Sequence, residues 1–392
     1  MPSTQRFEGD LTDGEQFWVE LQPWLRDAGY ELRARYHPGW TPSWLPGGEN
    51  SGRPSLLCED GVCNPRDNVL DAVRVSDGAP VTMKAIKSVF EDEISHIQFL
   101  SSKKLRADSA NHCVALLDIL HPPSGQDASA ATTIMVFPRL VPWDVFPFAK
   151  ACEALDFFGQ VLEGLAFMHK HNLAHCDASW GNIMMDGLHL FVEPPHPSRP
   201  SLPLCGDPRP AHHVGRSATD KPARYYFIDF GLTVRFASAG ERQKVRGPPG
   251  QDRSAPELHS DAPYDPFALD VYCIGNLLLV HWLNAYTNVE LMRPLALAMM
   301  HPDPRSRPTA AEALVRFNTL RRAIPPKARA VALKCVKGYD WQEYVRGNVP
   351  ARVPRAGFLE RILSVRRRTA KAPRRKDKTP LANKLVGVTP TA

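Results

Sequence analysis

The stretch 157–186, FFGQVLEGLAFMHKHNLAHCDASWGNIMMD, passes from an apolar, periodic segment into a polar loop and then into a short apolar run. Phe158, Val161, Leu162, Leu165 and Met168 recur at helical spacing on one face, which predicts a buried amphipathic helix. That helix delivers His175, Asp177 and Asn182 in the order H-x-D-x-x-x-x-N, and Ile183 to Met185 then read as a strand. Singly, such residues are ordinary turn formers, so the segments that follow carry the decision.

Those segments keep a fixed order. Asp229-Phe230-Gly231 follows the strand-like Tyr225 to Ile228, and Ala255-Pro256-Glu257 comes next. Asp270 to Gly275 opens an apolar helix, and Arg307-Pro308-Thr309 closes the series. In this order the chain resembles the eukaryotic protein-kinase-like superfamily and, more narrowly, the divergent kinase-domain proteins of mushroom-forming fungi. The resemblance implies an α+β, bilobal fold: an N-terminal extension with a docked helix at 1–64, a small antiparallel-sheet lobe at 65–141, a mainly helical lobe at 142–345 and a basic tail at 346–392. It also implies ATP and Mg²⁺ as cofactors. Asp177 would accept the proton of the attacking hydroxyl, and Asn182 and Asp229 would hold the metal.

Upstream, 69–87 reads as two strands joined by a Ser-Asp-Gly turn. By resemblance, Lys84 on the second strand neutralises nucleotide phosphates, with Lys87 as a competitor. Glu93 on the next helix positions it, with Glu91 as the alternative partner. Thr133 to Phe137 is an apolar strand, and Phe137, Pro138, Arg139 and Leu140 would line the nucleotide site. Before Val69, where the family places a glycine-rich phosphate loop, the chain reads CEDGVCNPRDN, with one glycine and three acids that repel phosphate. Farther upstream, Asp13 to Ala28 predicts a helix with Phe17, Leu21, Trp24 and Leu25 on one face and Trp18 beside it, docked on the body through its aromatics; Tyr30 to Tyr36 predicts a strand.

Downstream, Cys176 stands where many kinases carry Arg, so a phosphate on Thr233, Ser238 or Ser254 has no cation to meet at the loop. Ser179 stands where Ser/Thr kinases carry a catalytic Lys, and it brings a hydroxyl without a charge. Residues 187–222, rich in Pro, Gly and His, predict a mobile surface loop; His196, His212 and His213 show no zinc spacing. Glu257 with Arg307 implies a buried ion pair, and Asp270 suits both a helix cap and a brace for the catalytic loop.

The composition, 43% hydrophobic and 23% charged, is that of a globular chain, while 37 prolines point to irregular insertions. From Arg352 onward the balance is +10, which leaves −4 for the rest of a chain of net charge +6. The clusters Arg366-Arg367-Arg368 and Arg374-Arg375-Lys376 fit a nuclear-import signal or a polyanion contact, and the tail past Ala370 predicts disorder. Eight cysteines without CxxC spacing suit an intracellular compartment, cytoplasmic or nuclear, and the apolar run Ile274 to Leu283 is too short to span a bilayer. These expectations define a phosphotransferase acting on protein Ser or Thr, with a catalytic loop lacking the Arg-Asp pair. The alternative is a pseudokinase that binds partner proteins. A small-molecule kinase shares the H-x-D-x-x-x-x-N loop but not Ala255-Pro256-Glu257 or Arg307.

Overall fold

Thr12 starts the first element. Its hydroxyl accepts from Glu15 N and the Glu15 carboxylate accepts from Thr12 N, a reciprocal cap that opens α1 at Asp13–Asp27. In this computed structural model, the structure describes residues 11–87, 91–123, 132–204, 209–287 and 289–336. All belong to the first of two units, Met1–Tyr339; the basic tail, in the unit Asp340–Ala392, lies outside the described residues.

The buried face of α1 is Glu15, Trp18, Val19, Gln22 and Leu25, whereas Phe17, Leu21 and Trp24 lie half-buried along its margin. Two polar residues displace the expected apolar face because each finds a partner inside. Glu15 pairs with Arg35 at 2.8 Å, and the Gln22 side-chain oxygen accepts from Leu32 N at 3.2 Å. The expected strand 30–36 shortens to β1, Tyr30–Glu31, because Ala34–Tyr36 coils into a 3₁₀ turn that carries Arg35 inward.

The sheet continues with β2 at Val69–Arg74 and β3 at Ala79–Lys87, the predicted hairpin. Helices α2, Glu91–Leu100, and α3, Lys103–Arg106, lead to β4 at Asp118–Leu120 and β5 at Thr132–Pro138. The antiparallel order is β1-β2-β3-β5-β4. Strand side chains alternate, and Val81, Met83 and Ala85 of β3 pack with Trp18, Leu25 and Tyr36 in one core. Thr82 and Lys84 therefore face the other way, toward a cavity that both line.

The helical part begins at β6, Val141–Pro142, and α4, Ala151–Lys170. On α4 the predicted face is buried throughout: Phe158, Val161, Leu162, Leu165 and Met168 are at most 1% exposed. β7, Leu173–Ala174, and β8, Ile183–Asp186, flank the polar loop, and β9, Arg224–Phe227, pairs with β8. β10, Val234–Arg235, pairs with β7, and α5, Pro266–Leu278, runs through the core beside α4. Asp265, not Asp270, caps α5 by accepting from Phe267 N and Ala268 N. Pro266–Leu283 is apolar enough for a membrane span, with mean hydropathy 1.4, but 89% of it is buried in this core. α6, Arg293–Met299, and α7, Ala310–Ala323, complete the packing. The result is a mixed α/β fold, compatible with a two-lobed kinase-like arrangement.

The segment 187–222 departs from the expected surface loop. Among its described residues, Leu190, His196 and Arg216 are buried. Arg216 donates to Pro147 O and Phe146 O at 2.8 and 2.7 Å and lies over the Phe146 and Phe148 rings. His196 Nε2 donates to Glu59 O at 2.9 Å, while its Nδ1 accepts from Ser198 N at 3.1 Å, and Arg139 donates to Pro195 O. These bonds make the insertion a strap from the helical part to the N-terminal extension. Proline and backbone-seeking His and Arg achieve this without any apolar periodicity.

Candidate functional site

Asp270 sets the geometry of the polar loop. Fully buried, it accepts from His175 N at 2.7 Å, Cys176 N at 2.8 Å and His169 Nε2 at 3.0 Å. Gathering these donors on one carboxylate holds Cys176 at φ +63°, a left-handed conformation that most L-residues avoid. The brace read from the sequence is present. Burial pushes the Cys176 thiol well up, so it is inert packing rather than a reactive group.

His175 is buried, its Nε2 donating to Ile228 O at 3.1 Å and its Nδ1 accepting from Asp177 N at 3.3 Å. This directs Asp177 toward the cavity. Asn182 Nδ2 donates to Asp177 Oδ2 at 2.7 Å and to Asp177 O at 3.0 Å. Burial is the main influence that raises the Asp177 pKa above the ordinary aspartate value, against hydrogen bonds from Gln251 and Asn182 and the nearby His175.

From the sheet side, Lys84 reaches Glu93 Oε1 at 2.6 Å and Asp229 Oδ1 at 3.0 Å. Lys84 thus has its expected partner, and the competing Lys87 is exposed at the strand end. The Glu91 side chain lies outside the described ones. Burial opposes the Lys84 charge, but Glu93 and Asp229 outweigh it, so its pKa lies above the usual lysine value. Burial likewise works to raise Asp229, and Lys84 outweighs it, leaving the carboxyl below its ordinary value and ionised. Asp229 is at φ +63° with its side chain half exposed.

A cavity of about 340 Å³ lies here, lined by Thr82, Lys84, Phe137, Pro138, Leu140, Asn182 and Asp229 among others. A wider one of about 650 Å³ shares Lys84, Glu93 and Asp229 with it and adds Asp177, Gly14 and Asp67. Arg139 is not in the lining of either; its side chain turns to the strap. Ser179 is 2% exposed; its N donates to Asp177 O at 2.8 Å, but its hydroxyl has no hydrogen-bond partner among the described residues and so makes no bond to the Asp177 carboxylate. A third hollow of about 590 Å³, lined by Lys170, Lys244 and Arg305 among others, shares no residue with these two.

The donor set can be tested against a metal. Asp229 presents an ionised carboxylate, and Asn182 uses its amide nitrogen on Asp177, which leaves the amide oxygen for a cation. No group of three or more His, Cys, Asp or Glu gathers among the described residues. Two oxygen ligands suit Mg²⁺, which keeps waters and shares phosphate oxygens, and do not suit zinc.

Sequence reading missed Gln251. Its backbone N donates to Asp177 Oδ1 at 2.7 Å, and a Cβ on Gly250 would fall 2.3 Å from that same oxygen. Glycine at 250 is what lets the segment lie against the carboxylate. The expected Glu257–Arg307 pair is present, with two contacts at 2.5 and 2.7 Å, and it anchors the end of the same segment. Thr233, one of the three segment hydroxyls, is buried and donates to His175 O.

No family model matches the chain. Over 170 residues, 40% of the chain, it is 28% identical to the serine/threonine-protein kinase ppk8 of Schizosaccharomyces pombe. Over 181 residues, 44% of the chain, it is 25% identical to Crinkler effector protein 8 of Phytophthora infestans. The matches span 26% and 24% of those relatives, about a quarter of their length. The chain is therefore similar in part to a kinase, and neither match bears on the narrower resemblance to mushroom proteins.

Proposed function

We propose that this chain is an ATP- and Mg²⁺-dependent phosphotransferase acting on protein Ser or Thr hydroxyls, built on a bilobal kinase-like fold. The observation that carries this reading is the bridge from Lys84 to both Glu93 and Asp229, beside a loop that aims Asp177 and Asn182 into the two cavities that share those three residues. Lys84 supplies a fixed positive charge for phosphate oxygens, held on a strand by a buried carboxylate. Asp177 takes the proton from the attacking hydroxyl, and its raised pKa brings it nearer to a base's working range. Asn182 and Asp229 hold Mg²⁺, which when bound neutralises charge on the phosphates. Phe137, Pro138 and Leu140 form the apolar wall against which a planar base rests.

One observation favours the binding-scaffold alternative. Gly250 and Gln251 lie on Asp177, so a substrate hydroxyl reaches the base only if that segment moves. Two measurements on the purified full chain separate the readings: a thermal-shift titration with Mg·ATP, and phosphate transfer to a mixed Ser/Thr peptide library. The enzyme reading expects stabilisation and transfer. Stabilisation without transfer leaves the scaffold, and no stabilisation at millimolar Mg·ATP removes the nucleotide reading.

A further inference from the structure

The loop before β2 lacks the glycines that would let backbone amides approach phosphate closely, and its three acids gave it the look of a repulsive surface. Two of those acids are turned away. Glu59 pairs with Arg33 at 2.7 Å. Asp60 is buried and accepts from Trp40 Nε1 at 3.0 Å, Ser43 N at 2.8 Å and Ser43 Oγ at 2.6 Å. The third, Asp67, lines the wider cavity, while Arg66 lines the smaller one with Lys84, Asn182 and Asp229.

The backbone around Arg66 is held on both sides. Asn64 Nδ2 donates to Arg66 O at 2.8 Å, Trp18 Nε1 donates to Asp67 O at 2.9 Å, and Ala85 N donates to Asn68 O at 2.8 Å. The N-terminal helix thus clamps the loop over the cavity, and Trp18 is the tie. The Arg66 side chain is exposed and has no hydrogen bond or ion pair among the described residues. A guanidinium anchored this way offers a planar fork of donors that matches phosphate oxygens and needs no close approach of backbone.

We propose that Arg66 is a phosphate-binding residue of this site, a side-chain replacement for the backbone amides of a glycine-rich loop; as a statement about nucleotide it rests on the phosphotransferase reading. Lys84 from β3 and Arg66 from the loop before β2 then approach a polyphosphate from the sheet side, with the metal ligands opposite. The extension at 1–64 acquires a function in this arrangement, because the helix that fills the sheet core also fixes the arginine.

The test uses the full chain and three probes: Mg·ATP, adenosine and inorganic tripolyphosphate, with calorimetric titration of the wild type, Arg66→Ala and Arg66→Lys. Arg66→Ala should weaken Mg·ATP and tripolyphosphate about tenfold and leave adenosine unchanged, with Arg66→Lys in between. Unfolding midpoints of the three proteins should agree, since Arg66 is exposed. Equal Mg·ATP affinity in wild type and Arg66→Ala overturns the arginine and leaves the nucleotide reading standing. Tripolyphosphate binding that depends on Arg66, with no binding of ATP or adenosine, keeps an anion site and removes the nucleotide. Failure of all three probes to bind the wild type removes both.

Discussion

On the helical side of the Lys84 cavity, the loop that carries Asp177 and Asn182 is fixed by short bonds from His175 and Cys176 to Asp270 and Ile228, and Asn182 bonds Asp177 directly. On the sheet side, the loop 58–68 is held from far along the chain, by Trp18 and Arg33 of the extension and His196 of the strap. Both are long-range ties, but the helical floor is braced by Asp270 and Ile228, which belong to the ordered motif series, whereas the roof is held by residues outside it, 26 to 137 residues away. Groups that hold a metal or move a proton have to be placed within tenths of an ångström, which favours bracing by buried, fixed partners. A cover for phosphate has only to present positive charge or N–H groups, and several chain arrangements can do that.

The difference is broken most directly at the floor. Asp177→Asn keeps the hydrogen bond from Gln251 N but removes the base, so phosphate transfer should fall at least a hundredfold, while Mg·ATP still raises the unfolding temperature. A radiolabel transfer assay and a thermal shift on the same preparations check both parts. Turnover at the wild-type level in the Asn variant would take the base role from Asp177.

At the roof the largest effect is on stability. Arg35 and Glu15 are 3% and 2% exposed at the side chain, so removing one leaves the other as a buried, unpaired charge. Arg35→Leu should cost about 3 kcal/mol in urea unfolding, and the double variant Glu15→Met with Arg35→Leu should recover much of it. A single variant as stable as wild type would mean that water reaches Glu15 and that the roof is looser than its contacts indicate.

The strap gives a pH dependence. Burial drives the His196 pKa down to about 4, against a backbone hydrogen bond that works the other way. Between that value and the ordinary histidine range the unfolded chain binds the proton and the folded chain does not, so stability falls as pH drops below about 6.5. From pH 7.5 to 5 the wild type should lose about 2 kcal/mol more than His196→Gln, which has no such proton to take up. His281, similarly driven down by burial to about 3, is common to both proteins and cancels. Parallel stability curves for the two proteins would remove His196 from the tie between strap and roof.

Legibility followed the same division. The loop after α4 could be read because its function needs given residue types at given spacing, and the α4 face because burial imposes a 3.6-residue period. The hairpin and the pairs Lys84–Glu93 and Glu257–Arg307 were readable in the same way. The roof was not. Glu15 and Gln22 count as surface residues in any periodicity, and only Arg35 and the Leu32 backbone, brought in by the turn after β1, explain their burial. Glu59 and Asp60 read as repulsive charge until Arg33, Trp40 and Ser43 are placed against them. Arg216 is one basic residue in a proline-rich run, and nothing local marks it as the donor to three carbonyls.

The smallest effect concerns the place where the segment at Gly250 and Gln251 meets the floor. Asp177 is raised by burial and lowered by the N–H of Gln251, which reaches its Oδ1 at 2.7 Å. Proline at 251 removes that donor and keeps the close approach of Gly250. The side-chain amide of Gln251, 3.5 Å from Asp177 Oδ2, goes with it, and with two fewer bonds to its charged form the carboxylate should titrate higher still. A base works only when ionised, so kcat/KM should fall as pH drops through the Asp177 pKa, and the acid limb should begin at higher pH in Gln251→Pro than in wild type. Because the limb reports the free enzyme, it also shows where the segment rests before substrate binds. If turnover is too slow for a profile, ¹³C titration of the Asp177 carboxyl by NMR reads the same shift without chemistry. Coincident titrations in the two proteins would mean that Gln251 leaves Asp177 in solution, so that the floor stands open and is covered only by the roof.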